Sequence, residues 1–392
     1  MRLTEQQQSY LADVRRACAE IVPDEATRLR LTNDDADLNA DAAFAALAEL
    51  GLLGVSLPEA DGGGGRTFTE ECLLLEETAR TGVPVFAYST ALTAAQSYLK
   101  WGDAAQRRTV VEGIVAGRVE SVTFTEPSAG SDLASVTTKA VRDGDEWVIT
   151  GRKTWISFAH LASHLLVLAR TADTGVRHDG LSLLMVPTST PGVRIEPIRT
   201  MGARMVNDVY LEGVRVPAAS DVADVSDASG AGSALVGEEG EAWRHIGRGL
   251  AVERVIIAAM SVGGAQRALD QLIGHVTTRE QFGAPLGRKQ AVRHRIADLA
   301  TEIVHCRAFL YDLAGRIDDG LEDELNTEAS MAKLKASEVY KHTALEAVQL
   351  MGGYGYGSEF GMEAQLRTAI APTIYGGANE VQREIIGRGL GL

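Results

Sequence analysis

Cysteine is scarce in this sequence, with 3 in 392 residues: Cys18, Cys72 and Cys306. They stand far apart, without the paired spacing of a zinc site or a disulfide framework, so a reducing cytosol fits. Long apolar runs are missing as well. No stretch approaches ~18 uninterrupted apolar residues, and the first residues (Met1, Arg2, Leu3, Thr4, Glu5, then three glutamines) lack the apolar core of a secretory signal. The expectation is a soluble, cytoplasmic protein with no membrane insertion. Basic residues are in deficit, 38 against 53 acidic, for a net charge of −15. A surface that tracks nucleic-acid phosphates needs clustered positive potential, so nucleic acid is excluded as a partner while a local basic site is not. The 8 histidines make no HExxH pair. His160 and His164 come nearest, but they enter an apolar run that reads as a strand, where a spacing of four does not converge on a metal. No metal site is expected.

What is present falls into three parts, in keeping with a soft prior of roughly 150 residues per domain. Residues 1–118 read as helical, with period-3.6 apolar spacing in Asp41 to Leu50 and Glu70 to Arg80, broken by Gly and Pro near 51–65 and 82–84. Residues 119–232 change to short β-like pieces starting at Ser121, Val136, Trp147, His164, Leu181 and Val193. Asp143-Gly144-Asp145 between the second and third is a hairpin signal. This spacing suggests a compact β-barrel or sandwich rather than βαβ units, and a Ser/Gly/Ala/Asp stretch over 220–235 leads out of it. Residues 233–392 are helical again. Val292, Ile296, Leu299, Ile303, Cys306, Leu310, Leu313 and Ile317 alternate in steps of four and three, the 3.5-residue repeat of a long helix packed in a bundle. Cys306 then belongs to the core rather than to chemistry. The fold class is mainly α with a central β domain.

One residue breaks the pattern on the preceding helix. An apolar stripe runs Trp243, Ile246, Leu250, Ile257, Met260, Gly264 and Ala268, and position 253, in its middle, is Glu. A carboxylate on a buried stripe pairs with a cation, protonates, or lines a cavity where it does chemistry; pairing of Glu253 with Arg254 or Arg248 is the bland alternative. The glycine-rich run from Gly352 to Gly361 is not a dinucleotide fingerprint, because it ends an apolar helix (Ala344 to Met351) instead of following a strand and opening one. It reads as a helix terminus and close-approach loop.

Five ordered segments carry a family resemblance. Thr125-Glu-Pro-Ser-Ala-Gly-Ser-Asp132, Gly151-Arg-Lys-Thr-Trp-Ile-Ser157, Arg279-Glu-Gln-Phe-Gly-Ala-Pro-Leu-Gly-Arg-Lys-Gln290, Gln349-Leu-Met-Gly-Gly-Tyr-Gly355 and Ile374-Tyr-Gly-Gly-Ala-Asn-Glu-Val-Gln382 resemble motifs of the acyl-CoA dehydrogenases, as does Leu57-Pro-Glu followed by glycines. The resemblance spans almost the whole chain. It implies a helical N-terminal domain, a β-barrel middle domain and a C-terminal four-helix bundle. It also implies non-covalent FAD between the last two, usually in a homotetramer whose neighbouring subunit completes the site. By resemblance the segment from Val122 to Ser131, with Phe124, Thr125 and Gly130, would hold the flavin together with Trp155, Ile156 and Ser157. Arg279, Phe282, Gln290, Gln349, Gly352 and Gly353 would reach it across the subunit interface, and Asn379 would add a contact. An Arg for the pyrophosphate and glycines that admit backbone contact make physical sense there. Ser131, Arg254 and Tyr375 would meet the acyl-CoA substrate, and electron-transfer flavoprotein would take the electrons.

Two departures qualify the resemblance. Ser128 stands where the first signature usually has Gly, and Gly376 stands in Tyr375-Gly376-Gly377 where many members carry a catalytic Glu. A subset resembling isovaleryl- and long-chain acyl-CoA dehydrogenases places its base at the position of Glu253 here. The implied reaction removes the pro-R α-proton of an acyl-CoA thioester at Glu253 while hydride passes from the β-carbon to flavin N5. The enolate oxygen would accept from the Gly376 N–H and a ribityl hydroxyl. Two other readings stay open: a non-catalytic partner subunit of a hetero-oligomer, and an oxidase or flavin monooxygenase on the same fold.

Overall fold

The computed structural model describes residues 3–218 and 233–392. The connection expected over 220–235 falls for the most part outside them, as do the side chains of 247–249, and with them the alternative pairing of Glu253 to Arg248. The N-terminal part is six helices: α1 (Glu5–Ile21), α2 (Glu25–Leu31), α3 (Asp41–Glu49), α4 (Phe68–Thr81), α5 (Ala87–Trp101) and α6 (Ala104–Val115). Three of them start at capping boxes, Thr4 with Gln7, Thr67 with Glu70 and Asp103 with Gln106, which satisfy otherwise orphaned N–H groups.

Helix α4 is buried on nearly every side, and its acids go inside with its leucines. Each finds a partner: Arg66 for Glu70, Ser56 and Tyr88 for Glu71, Arg307 and Tyr311 for Glu76, and Arg15 for Glu77. The apolar periodicity of this segment therefore leaves out the contacts of its buried acids. At its start, Asp318 accepts from the Phe68 N–H at 2.6 Å and the Thr69 hydroxyl at 2.6 Å. A carboxylate at a helix N-terminus is favourable, and this one ties the C-terminal part to the N-terminal part.

The middle part is one eight-stranded sheet. Its strands are β1 (Val119–Thr123), β2 (Lys139–Asp143), β3 (Glu146–Ser157), β4 (Ala162–Arg170), β5 (Leu181–Pro187), β6 (Val193–Pro197), β7 (Val206–Pro217) and β8 (Leu235–Val236). They pair in the order β6-β7-β3-β2-β4-β5-β8, with β1 parallel to β4. The hairpin at 143–145 forms as its turn residues predict, with Asp143 opposite Glu146. Strand β7, absent from the six expected pieces, pairs with both β3 and β6. Its in–out alternation changes phase at Gly213, which hides it from a simple period-two reading.

The C-terminal part begins with α7 (Ala242–Thr278), 37 residues long and so about 55 Å. After the β9 (Glu280–Gln281) and β10 (Ala284–Pro285) hairpin come α8 (Gln290–Asp318), α9 (Asn326–Met351), the single turn α10 (Gly353–Tyr356), α11 (Met362–Ile370) and α12 (Asn379–Gly389). Helix α7 packs on α9, α8, α4 and α5, while α11 and α12 pack on α9. Close approach is possible because a Cβ at Gly263 would lie 2.2 Å from the Glu76 carbonyl oxygen. The 3.5-residue repeat of α8 is buried at Leu299, Ile303, Cys306, Leu310 and Leu313. Burial raises the Cys306 thiol to about 11, as expected of a core cysteine. The stripe on α7 is buried at Ile246, Ile257, Met260, Gly264 and Ala268 and half-buried at Leu250, but Trp243, in its first turn, is exposed and lies tilted against the His178 ring, 4.5 Å between centroids. Among the described residues no helix is long and apolar enough to cross a membrane, and no cluster of three or more His, Cys, Asp or Glu is placed to hold a metal.

Candidate active site

Two of the resembling segments meet in the middle sheet. Strand β3 carries Lys153 fully buried, and its ammonium donates to Glu126 at 2.9 Å and to the carbonyl of Phe124 at 3.0 Å. The Glu126 carboxylate also accepts from the Thr137 N–H at 2.7 Å and the Thr138 N–H at 2.9 Å, and the Thr154 N–H donates to the Thr125 carbonyl at 2.9 Å. The loop from Thr125 to Ser131 is thus fastened to β3 by its base, while Gly130 and Ser131 are exposed at its outer side. Next to it the β3–β7 register slips between Lys153 and Ile156, and Trp155 takes a left-handed backbone with φ +60 and an indole 57% exposed. A left-handed aromatic residue is strained unless its surroundings fix it, and such strain gathers at functional sites. Ile156 turns into the core, its carbonyl accepting from Asn207 at 3.1 Å, and the Ser157 carbonyl accepts from Ser121 at 2.7 Å. Val122 and Phe124 are half-buried at the edge of this wall.

The Lys153–Glu126 pair makes a testable stability element. Burial opposes ionisation of Glu126, but the adjacent Lys153 charge and its hydrogen bonds prevail and hold the carboxyl down at about 2. A depressed carboxyl stabilises the fold fully above its unfolded pKa, near 4.3, and loses that contribution as pH falls towards 2. Glu126→Gln should therefore flatten the melting-temperature slope between about pH 5 and pH 2. It should also cost about 3–5 kcal/mol at neutral pH, because Lys153 is left buried without its counter-ion. An unchanged slope in calorimetric scans would remove this pair from the acid response.

Two further segments meet at the far end of α7. Arg279 ends that helix, its N–H donating to the His275 carbonyl, and its guanidinium lies 5.3 Å over the Tyr354 ring. Arg279, Gln281, Met351, Gly352, Gly353 and Tyr354 line one groove. Phe282, at the hairpin tip, has φ +53 and is 91% exposed; Gln290 and Gln349 are exposed too. Gly130, Gly352 and Gly353 have nothing within 4 Å of where a Cβ would sit, so backbone there is open to a ligand. Among the described residues no hydrogen bond, ion pair or ring contact joins this groove to the 122–131 loop or to Trp155. An exposed aromatic wall, open glycine backbone and, among the described residues, an Arg without an ion-pair partner in a groove are what a flavin with its pyrophosphate requires, so these residues fit FAD.

The last segment closes on α7. Glu253 is half-buried in the stripe and, among the described residues, makes no hydrogen bond or ion pair. Its neighbour Arg254 does not pair with it. That guanidinium is buried and donates to Asn326 Oδ1 at 2.6 Å at the start of α9, away from any open surface. Burial pushes the Glu253 carboxyl up from its ordinary range, against the lowering pull of the Arg254 and Lys333 charges. Gly376 faces it: a Cβ built there would lie 3.7 Å from Glu253 Oε1 and 2.2 Å from Ile257 Cδ1. The Tyr375 phenol is pushed up by burial and by the nearby Tyr340 and Glu253. Asn379 turns its amide inward onto Ser337 and Lys333, leaving only backbone to meet a ligand.

Across the chain, three family models match in sequence order. The acyl-CoA dehydrogenase N-terminal domain covers residues 4–118, the middle domain 121–214 and the C-terminal domain 240–391. The chain belongs to the acyl-CoA dehydrogenase family. It is 37% identical over 356 residues to the probable acyl-CoA dehydrogenase YngJ of Bacillus subtilis (strain 168), covering 88% of this chain and 89% of that one. It is 34% identical over 353 residues to the cyclohexane-1-carbonyl-CoA dehydrogenase of Geobacter metallireducens, covering 87% of each. Among solved structures, the acyl-CoA dehydrogenase of Geobacillus kaustophilus superposes with a TM-score of 0.86 at 28% identity, over 100% of this chain and 99% of that one. This acyl-CoA dehydrogenase is an FAD-dependent oxidoreductase. Four site-adjacent residues have no role assigned from the sequence: Lys153 and Gln382, although they lie within two of the resembling segments, Ile257, although it belongs to the α7 stripe, and Lys333. Lys333 was detectable by the test that exposes Glu253, since it interrupts the small apolar stripe Ala329, Ala332, Ala336 and Tyr340 of α9.

Proposed function

We propose that this chain oxidises a saturated acyl-CoA thioester to the trans-2-enoyl-CoA with Glu253 as general base. The observation that carries the reading is the 3.7 Å between Glu253 Oε1 and the Cβ position of residue 376. A carboxylate from α7 thus occupies the space from which a glutamate at 376 would act. Glu253 takes the α-proton, the electron pair left on the α-carbon becomes the new C=C bond, and hydride leaves the β-carbon. FAD, when bound, supplies the acceptor for that hydride. The α-proton is a weak acid, so the thioester oxygen needs a donor aimed at it. Gly376 offers one, because among the described residues its N–H has no protein acceptor. A carboxyl raised by burial is also a better base near neutral pH than an ordinary one.

The 122–131 loop and Trp155 to Ser157 would hold the flavin from one chain. Arg279, Phe282, Gln290, Gln349, Gly352 and Gly353 would come from a second copy, which their exposure and their separation from the first set support. A homotetramer with electron-transfer flavoprotein as its electron acceptor is the assembly proposed. The test is anaerobic reduction of the FAD-loaded protein by butyryl-, octanoyl-, palmitoyl-, isovaleryl- and cyclohexane-1-carbonyl-CoA, with sedimentation for size. At least one acyl-CoA should bleach the flavin absorbance within seconds. Colourless protein that takes up no FAD, or a loaded enzyme that none of these reduces, would overturn the reading. Rapid reoxidation of the reduced enzyme by air would point to an oxidase, and an FAD-loaded monomer would overturn the assembly.

A further inference from the structure

Lys333 is fully buried on α9. Its ammonium donates to the Gly377 carbonyl at 2.8 Å and to Asn379 Oδ1 at 3.0 Å, and Asn379 is itself fixed by Ser337 at 3.1 Å. From α12, the Gln382 amide donates to the carbonyls of Gly376 at 3.1 Å and Gly377 at 2.9 Å. Both carbonyls of a turn with two successive left-handed residues, φ +60 and +77, are therefore gripped from behind. Among the described residues the N–H of Gly376 is left over. Carbonyl groups can be satisfied by a neutral amide, as Gln382 shows, and a buried ammonium is expensive. What the ammonium adds is positive charge close to Glu253, beside that of Arg254, whose bond to the neutral Asn326 amide leaves its charge in place; of the two, Lys333 alone also holds the turn whose Gly376 Cβ position lies 3.7 Å from Glu253 Oε1.

We propose that Lys333 is a positioning residue. It fixes the Gly376-Gly377 turn so that the Gly376 N–H faces the thioester oxygen, and it adds its charge to that of Arg254 beside Glu253. The inference rests on the reading of Glu253 as base. The charged and titratable groups around the pair are few. Lys333 faces Glu253 and Arg254 from α7 and Glu380 from α12, and burial brings it down to about 8. Glu253 faces Arg254, Lys333 and Tyr375.

The experiment uses the full-length FAD-loaded enzyme and a 3-thia-acyl-CoA. Sulfur at the β-position prevents hydride loss, so α-proton exchange into D2O, followed by mass spectrometry, reports proton abstraction alone. Lys333→Met should lower both this exchange and flavin reduction by acyl-CoA about 10²-fold, the usual effect of a lost oxyanion donor. Its acid limb should move up by about one pH unit, because a cation that favours the Glu253 carboxylate is gone. FAD content and binding of the thia-analogue should stay within about threefold, since Lys333 touches neither. Lys333→Arg should keep the acid limb in place even with a reduced rate, whereas Lys333→Gln should move it. That second pair, equal in being donors and unlike in charge, decides the matter if the Met variant does not fold. An acid limb and exchange rate unchanged in Lys333→Met, or a limb equally placed in the Arg and Gln variants, overturns the inference alone. Wild-type enzyme that neither exchanges the α-proton nor accepts electrons from any acyl-CoA overturns the dehydrogenase reading itself.

Discussion

Replacing Glu253 by Gln should lower the first-order rate of anaerobic flavin reduction by about 10²–10⁴-fold, the range that a positioned general base contributes. FAD content and acyl-CoA affinity should hold, because the amide has the same shape as the carboxylate. Stability should not fall either. Among the described residues Glu253 makes no hydrogen bond that the amide would break, and burial already disfavours its charge. The wild-type rate should drop as pH falls through the raised pKa of this carboxyl, where the base takes up a proton, and the residual rate of the variant should show no such limb. Stopped-flow traces across pH 5 to 9 would measure both. A variant that bleaches the flavin at the wild-type rate would take Glu253 out of the chemistry and leave a carboxylate half-buried on α7 for no reason apparent in the structure.

Glu253 was legible because one measure, a polar residue in the middle of an apolar helical stripe, needs only the 3.6-residue period. The same measure applies to Lys333, but α9 is lined with alanines rather than large apolar residues, so its stripe is fainter and the interruption less visible. Lys153 was hidden for another reason. On a strand, alternate residues face opposite sides, and Lys153 shares the inward phase of Trp147 and Ile149, but Gly151 interrupts that row and the adjacent Arg152 makes the pair read as solvated. The register slip after it, where Trp155 turns left-handed, comes from pairing with β7 and is written in no local pattern. Strand β7 shows how this works in reverse, since the bulge at Gly213 shifts its alternation and only the partner strands reveal it. The three-part order of helices, sheet and helices was readable because each part keeps one periodicity over more than a hundred residues or many short strands. The inward rotation of the Asn379 amide and the engagement of Arg254 with Asn326 are side-chain choices made by neighbours distant in sequence.

Moving the base to residue 376 should fail unless Ile257 is also cut back. Gly376 has φ +60, and its missing Cβ would stand 2.2 Å from Ile257 Cδ1, far inside van der Waals contact. Gly376→Ala alone should cost about 1–3 kcal/mol, from left-handed strain and overpacking together. It should also lower flavin reduction by about 10²-fold, since displacing the turn by an ångström misaims the N–H that faces the substrate oxygen. In the exchanged enzyme, with Glu253→Gly and Gly376→Glu, the carboxylate is restored in kind but pushed out of place by the same methyl, so reduction by acyl-CoA should remain near the level of Glu253→Gln. Adding Ile257→Val removes the δ-carbon and nothing else that touches the new Cβ, and should return at least about tenfold of the rate, a gain of roughly 1.4 kcal/mol in the barrier. If the exchanged enzyme matches wild type with Ile257 intact, the turn yields freely. Steric exclusion would then no longer explain why the base sits on α7. If instead the Val variant alone recovers, Ile257 and the left-handed turn together account for the placement, because a side chain at 376 and a full isoleucine at 257 cannot share one space.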